Sequence, residues 1–196
     1  MSLPPSIVDP NHILMTGENP FVRLAPTDTD DYTTMVSFWR MTFCPAGPGH
    51  ALFAKSELTE GQWRIYSDNP AMTRWLQQTI QGMLTHDLKN ESIAIIAASF
   101  EKSGDPLKTY AETIRAGGDT IECRWSNMLE PMMLHTQPGT PAGRHYGLCT
   151  VFVPAHEASF SINGKNAVGK AWPRSRDGRP FSTSSLAFSE SWTQTR

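Results

Sequence analysis

Residues 109–128 read TYAETIRAGGDTIECRWSNM and hold the pattern on which the fold prediction rests. Ile121, Cys123 and Trp125 alternate with polar residues, which is the period-two pattern of a half-buried strand. The dipeptide at 117–118 is Gly-Gly, which is typical of a tight hairpin turn. The stretch therefore predicts two antiparallel strands, 109–115 and 119–128.

Similar short β runs occur along most of the chain. Asn163-Gly164, between the runs 158–162 and 167–172, is the strongest short hairpin signal in the sequence. We count about nine or ten strands in total. Because short turns separate most of them, neighbouring strands should pair antiparallel.

One segment has the period of a helix instead. Apolar residues recur every three or four positions from Met72 to Leu84, and Pro70 suits the first helical position after an N-cap at Asp68 or Asn69. We predict one amphipathic helix near 70–84, with its apolar stripe packed on the sheet. Three residues are expected to face water: Gln77, Gln78 and Gln81.

These elements predict a mainly β (α+β) fold. A sheet of about nine or ten strands tends to curl, so the first expectation is an antiparallel β-barrel plugged or flanked by the helix. The second is a strongly curved open sheet packed on the helix. In outline the barrel plan resembles the lipocalin-like (calycin) proteins. We expect an irregular N-terminal arm over 1–19 and a single β-rich domain over 20–196.

The composition argues against several classes of protein. The net charge is −2 and the basic residues form no block, so nucleic-acid binding is not expected. No apolar run has the length of a membrane span, and no secretory signal is visible over 1–11. Three cysteines without a C-x-x-C pair suit a cytoplasmic protein. Dinucleotide and P-loop motifs are absent, so no cofactor is expected. A homo-oligomer is left open.

Three histidines in the C-terminal half form the first candidate site. His135 and His145 flank the loop 136–144, and His156 follows beside Glu157. Three imidazoles and a carboxylate are a reasonable ligand set for a divalent metal. The spacing matches no compact ligand motif, so ordinary surface histidines are the main expectation.

Acid–base chemistry is the second candidate. Glu190 alternates with Leu186, Phe188 and Trp192 on the last predicted strand, so it would be an inward carboxylate if that face is buried. Such a group can act as a general acid or base, and we assign the catalytic roles to Glu190 and His145. The simpler alternative is a side chain that reaches water near the end of the strand.

Adjacent tryptophan and arginine residues supply the candidate ligand-binding positions. The pairs Trp39-Arg40 and Arg124-Trp125 are typical of tryptophan in the core and arginine outside. The reverse orientation would place arginine inward to bind a carboxylate or phosphate. The ligand-binding residues are predicted to be these: Trp125, Arg124, Trp39, Arg40 and His135. We expect Trp125 to be the inward member of its pair, and Arg124, Trp125, His145 and Glu190 to share one cavity.

The leading functional hypothesis is binding of a small, largely apolar organic molecule in the barrel cavity. Aromatic and Met-rich walls with a few polar groups are typical of such a cavity. Cofactor-independent acid–base catalysis of the lyase, hydratase or isomerase type could accompany the binding. One alternative is a non-catalytic carrier or an oligomeric interaction module. The third option is a metal-dependent barrel enzyme that uses His135, His145 and His156.

Overall fold

A computed structural model describes residues 12–138, 146–176 and 178–194. The described part contains fifteen strands and one long helix. The strands are β1 Ile13–Glu18, β2 Phe21–Leu24, β3 Thr34–Phe43, β4 Gly49–Lys55, β5 Arg64–Ser67, β6 Ile95–Ala97, β7 Ser99–Asp105, β8 Thr109–Ala116, β9 Asp119–Met128, β10 Met132–Thr136, β11 Tyr146–Ile162, β12 Lys165–Asn166, β13 Pro173–Arg176, β14 Arg179–Ser182 and β15 Ser185–Gln194. Helix α1 joins three consecutive segments: Pro70–Leu76, Gln77–Gln81 and Gly82–Leu84. Two short 3₁₀ turns lie at Glu57–Thr59 and His86–Lys89.

Thirteen of the described strands form one large sheet. Its order is β6-β5-β4-β3-β1-β15-β11-β9-β8-β7, with β2, β10 and β12 paired alongside, and β13 and β14 form a separate hairpin. The mainly β class and the helix are therefore confirmed, and the number of strands is higher than predicted. The β5–β6 pair is parallel, because α1 lies between these two strands and returns the chain to the same edge.

The sheet is strongly curved, so its inner face folds onto itself. Phe38 of β3 lies 5.8 Å from Phe100 of β7, measured between ring centroids, although these strands are far apart in the sheet order. One hydrophobic core fills the inner face and includes Phe38, Tyr66 and Trp125. A second core lies between the outer face and α1. The molecule thus buries both faces of β3.

A closed barrel is not confirmed. The ends of the sheet order are β6 and β7, which share no ladder among those of the described residues. Instead they follow each other in the chain through Ala98, whose N–H donates to the carbonyl of Ser67. Strand β6 pairs with β5 at one edge of the sheet, and β7 pairs with β8 at the other. The short connection between β6 and β7 therefore brings the two edges together, although no ladder of the described residues joins them.

The N-terminal segment differs from the expected irregular arm. Ile13–Glu18 forms strand β1 between β3 and β15. Pro20 separates β1 from β2, which continues along the same two neighbours. Proline interrupts the ladder because it has no N–H to donate. Residues 1–11 lie outside the described part.

Helix α1 begins as the sequence predicts, and its middle differs. The side chain of Asn69 accepts a hydrogen bond from Met72 N, and Pro70 occupies the first turn. The segment Gln77–Gln81 is a π turn, which widens the helix by one residue. Gln77 and Gln81 are buried and do not face water, while Gln78 is exposed.

We expect Leu76→Ala to destabilise the fold by about 3 kcal/mol, because Leu76 is fully buried in the core beneath α1 and its loss leaves a cavity. Chemical denaturation measures the change in the free energy of unfolding. The exposed Gln78→Ala is the control and should change it by less than about 0.5 kcal/mol. Equal effects of the two substitutions would show that α1 does not pack on the sheet through this stripe.

The turn at Asn163-Gly164 has the predicted geometry, but the second strand of the hairpin is the short β12 and not the predicted run 167–172. The φ angles of the two residues are 53° and 78°, both positive as a type I′ turn requires. A Cβ at Gly164 would meet no atom within 4 Å, so only the backbone conformation disfavours another residue there.

Gly164→Ala should therefore cost about 1 kcal/mol of stability, which is the penalty of a left-handed backbone alone. Gly104→Ala is the informative comparison, since its Cβ would also collide with the carbonyl oxygen of Thr109. We expect a clearly larger loss at Gly104 in thermal unfolding. A larger loss at Gly164 would contradict this assignment.

Candidate active site

Polar and charged side chains of three neighbouring strands lie side by side at one end of the inner face. Glu18 of β1 is opposite Arg40 of β3, and Arg40 is opposite His50 of β4. Arg40 lies on the same face as Val36 and Phe38 because side chains alternate along the strand. The arginine therefore points inward, which is the less expected of the two orientations considered from the sequence.

Arg40 is held by carboxylates from both sides. Its Nη2 donates to Oε1 and Oε2 of Glu112 on β8, at 2.9 Å each, and its Nε lies 3.3 Å from Oε2 of Glu18. The side chain of Glu112 is completely buried and that of Arg40 is 18% exposed. Tyr110 Oη also donates to Glu112 Oε1, at 2.6 Å. Glu112 thus has a cation and a hydroxyl as partners in the core.

His50 continues this chain of polar groups towards the surface. Arg40 Nη1 lies 2.7 Å from His50 Nε2, and His50 Nδ1 lies 2.5 Å from Oδ2 of Asp68. A guanidinium can only donate, so Nε2 accepts and the ring carries its proton on Nδ1, which donates to Asp68. The imidazole ring stacks on Phe100 of β7 with 5.2 Å between ring centroids. The ring is therefore fixed at both nitrogens and on one face.

The turn before helix α1 places Asp68 beside His50. Ser67 Oγ donates to the His50 carbonyl and accepts from Asn69 N, which fixes the end of β5. Asp68 Oδ1 accepts the backbone N–H of His50 at 2.6 Å. Gly49 makes this approach possible, because a Cβ there would lie 2.7 Å from Asn69 Cβ and 3.1 Å from Asp68 Oδ1.

Burial changes the protonation behaviour of the inner members of the chain. It raises the pKa of Glu112, although the hydrogen bonds from Tyr110 and Arg40 and the charge of Arg40 lower it. Burial, together with the hydrogen bond to Glu112, raises the pKa of Tyr110 well above its usual range, so the phenol stays protonated. Burial lowers the pKa of Arg40, but the hydrogen bond and charge of Glu112 outweigh this effect and the net shift is upward. Arg40 is therefore cationic.

An open groove of about 690 Å³ gives access to this chain. Arg40, His50 and Asp68 line it, together with Met41 and the backbone turn at Pro48. Its volume is within the usual range for small-molecule sites. The groove thus combines an imidazole oriented by a carboxylate, a fixed guanidinium and an apolar wall, which are the parts of an acid–base site.

The predicted catalytic residue Glu190 lies on the opposite face of the sheet. It is 2% exposed and accepts hydrogen bonds from Trp192 Nε1 at 2.7 Å and Asn19 Nδ2 at 3.3 Å. Ser189 has φ of 49° and the β11–β15 register shifts nearby, so Leu186 and Phe188 face the inner core while Trp192 faces helix α1. The bulge breaks the simple alternation assumed for this strand.

The predicted ligand-binding residues are distributed over both faces and the surface. Trp125 is fully buried in the inner core and donates to the Phe21 carbonyl. Arg124 points outward and pairs with Glu122. Trp39 is fully buried beneath α1, where its Nε1 donates to Gln81 Oε1. Of the five, Arg40 is the one that lines the groove described above, and the ligand-binding roles of the others stay predictions.

The histidines proposed as metal ligands are only partly covered by the structure. His135 lies on β10 opposite Cys149, and His156 is exposed on β11. His145 lies outside the described residues, so neither its catalytic role nor the three-histidine site is tested. Among the described residues, no three His, Cys, Asp or Glu side chains are close enough to hold a metal ion.

The sequence reasoning missed His50, Asp68, Glu112 and Tyr110. One signal was available: in residues 109–115 Glu112 falls between Tyr110 and Ile114 on an otherwise apolar face, which marks a buried carboxylate that needs a partner. Arg40 offered the matching cation, but their pairing depends on the curvature of the sheet.

Comparisons with protein-family models, with curated proteins and with solved structures find no match for this chain. No helix in the described ranges is both long and apolar enough to cross a membrane.

We expect Arg40→Met to destabilise the protein by about 3–5 kcal/mol at neutral pH, because it leaves the charge of Glu112 buried without its cation. The loss should become smaller as the pH falls. A raised pKa means that the folded state holds the proton of Glu112 more tightly than the unfolded chain does. The buried charge of Glu112 therefore lowers the stability of the fold above that pKa, and this loss is relieved below it.

Arg124→Met is the matched control, because the Arg124–Glu122 pair is exposed and should contribute less than about 1 kcal/mol. Denaturant titrations at neutral and mildly acidic pH measure both variants. If the two arginine substitutions cost the same, or if the cost at Arg40 does not change with pH, the description of Glu112 is wrong.

Proposed function

We propose that the protein binds a small, largely apolar organic molecule in the groove at the end of the curved sheet and acts on it by acid–base chemistry. The observation that carries the proposal is the imidazole of His50, held by Asp68 at Nδ1 and directed at Arg40 through Nε2 beside this groove. The plan of a barrel-like, calycin-like sheet with a ligand at its mouth is part of the same proposal. Free Cys44, Cys123 and Cys149 favour the cytoplasm as its location.

The arrangement suits removal of a proton next to a carbonyl group. A ligand oxygen that accepts from Arg40 Nη1 replaces the hydrogen bond to His50 Nε2 and leaves this nitrogen free to accept a proton from the adjacent carbon. The C–H electron pair moves into the ligand, and the negative charge that develops on its oxygen is stabilised by the guanidinium. Asp68 stabilises the imidazolium that forms.

The fate of the proton defines the reaction class. Its return to a different carbon is an isomerisation, and loss of a group from the neighbouring carbon is an elimination, whose reverse is a hydration when that group is hydroxide. No external cofactor is needed for these steps. Glu18 and Glu112 fix Arg40 from two sides, so the guanidinium requires little reorganisation when the charge develops.

The test is deuterium exchange by a panel of small ketones, esters and β-hydroxy carbonyl compounds in D₂O, followed by NMR. We expect the protein to exchange or eliminate at least one member of the panel, and His50→Gln to reduce the rate by about 100-fold or more, which is the usual contribution of a general base. The melting temperature should stay nearly the same, since the amide keeps a donor for Asp68.

His156→Gln is the control, because His156 is exposed on β11 and lies outside the groove. It should leave the rate unchanged. Exchange that is unaffected by His50→Gln would remove His50 as the base. A panel that is bound but not exchanged would favour the non-catalytic carrier instead, since binding alone does not need an oriented imidazole.

A further inference from the structure

A second, smaller cavity lies on the other face of the sheet, beneath the end of helix α1. Its volume is about 50 Å³, and its walls include Arg23, Met35, Trp63 and Gln81. It is too small for a whole organic molecule of ordinary size, but it can hold one polar group or a few waters. Among its described walls, Arg23 is the one charged residue.

Two hydrogen-bond donors on these walls have no described acceptor. Trp63 Nε1 is buried and has no hydrogen-bond partner in the described part of the chain. Gln81 is 2% exposed, and its described hydrogen bonds all involve Oε1, which accepts from Trp39 Nε1 at 2.9 Å. This bond orients the amide and leaves its Nε2 without an acceptor in the described residues. A buried donor without a partner costs about 1–3 kcal/mol, and this cost applies to Trp63 Nε1. Gln81 Nε2 is not fully buried, so an occupant of the cavity can accept a hydrogen bond from it.

The π turn accounts for the position of Gln81. In a regular helix of this sequence we expected Gln81 on the water-facing side, whereas the widened segment Gln77–Gln81 places it in the core. Such turns are found frequently at functional sites, because they move a side chain without ending the helix. Gln81 is thus a polar group placed against the sheet at the cost of regular helix geometry.

Arg23 carries the positive charge at the opening of the cavity, since the nearby Lys55 is paired with Asp87 at 3.6 Å. Arg23, Met35 and Lys55 are cross-strand partners on β2, β3 and β4, so they form a row on one face. The guanidinium of Arg23 lies 5.4 Å from the ring centroid of Phe21 and 5.8 Å from that of Tyr32. Such cation–π contacts hold the charge beside the opening while leaving its hydrogen-bond donors available.

Met35 also lines a neighbouring open groove of about 460 Å³ that contains Tyr32 and Lys55. Tyr32 and Met35 form the apolar part of this outer groove, and Glu57 and Glu60 are also among its walls. A ligand could therefore place one polar group in the small cavity and extend its apolar remainder across Met35 into the groove.

We propose that this cavity binds the carboxylate group of a small organic monocarboxylate. Trp63 and Gln81 donate to its oxygens, Arg23 supplies the compensating charge, and the hydrocarbon part lies along Met35. The carboxylate of Glu190 is engaged by Asn19 and Trp192, and none of its described hydrogen bonds involves Trp63 or Gln81. The site is separate from the groove at His50 and does not depend on the function proposed there.

The experiment is a titration of the full ¹⁵N-labelled chain with butyrate and, in parallel, with butyramide, its uncharged analogue of similar shape. The indole N–H signals of the six tryptophans are followed by NMR, and Trp63→Phe assigns the signal of Trp63. Butyrate should move the Trp63 indole signal and one side-chain amide pair saturably. Butyramide should bind about tenfold more weakly or worse, because its oxygen carries no full charge.

Arg23→Met should weaken butyrate binding by about tenfold, since Arg23 is exposed and its replacement removes the charge with little effect on the core. Arg115→Met, an exposed arginine on β8, is the matched control and should bind butyrate as the wild type does. If no saturable shift occurs, the cavity holds only water and the proposal is overturned. Equal binding of butyrate and butyramide, unaffected by Arg23→Met, would also overturn it. Unchanged binding in His50→Gln would support the independence of the two sites.

Discussion

The ion pair between Arg40 and Glu112 connects β3 and β8 across the inner face, although these strands are well separated in the sheet order. A completely buried carboxylate is unfavourable in a low-dielectric core unless a cation and hydrogen bonds accompany it. Only a sheet that curves enough to bring β3 against β8 satisfies Glu112. The curvature, the stacking of His50 on Phe100 and the contact of Phe38 with Phe100 are therefore parts of one arrangement.

The same pair also fixes the orientation of the polar side chains towards the surface. Glu112 accepts from Nη2 of Arg40 and Glu18 forms an ion pair on the Nε side, while Nη1 turns towards His50. The guanidinium keeps Nε2 of His50 in the acceptor form, and Asp68 holds the proton on Nδ1. The buried Glu112 requires Arg40 as its partner, and Arg40 in turn orients the imidazole of His50 beside the groove. The buried pair is costly on its own, and the function proposed for the groove would give the chain a reason to retain it.

Local patterns predicted the helix and several of the strands, but they missed β1 and the β13–β14 hairpin and could not predict contacts between distant strands. The hairpin at Asn163-Gly164 and the beginning of helix α1 follow from turn and capping chemistry that a few adjacent residues determine. Ser189 and the π turn at Gln77–Gln81 were missed, because a bulge inserts one residue and shifts every later side chain to the other face without a strong compositional signal. This shift places Glu190 beneath the helix. Glu112 and Arg40 were each visible as charges on predicted strands, but their pairing is set by the closure of the sheet.

Strand β3 is the shared wall of both candidate sites. Arg40 faces the inner groove, whereas Met35, Ser37 and Trp39 face helix α1 and the small cavity. Side chains alternate along a strand, so neighbouring residues point to opposite faces. Trp39 is buried beneath helix α1, whereas the adjacent Arg40 is largely buried on the inner face beside Glu112. The expectation of tryptophan inside and arginine outside assumes a sheet with one solvent-exposed face. Here the curved sheet covers one face and the helix the other, so a residue on β3 has no solvent-facing side over most of its length, and a polar residue there must find a partner or bind a ligand.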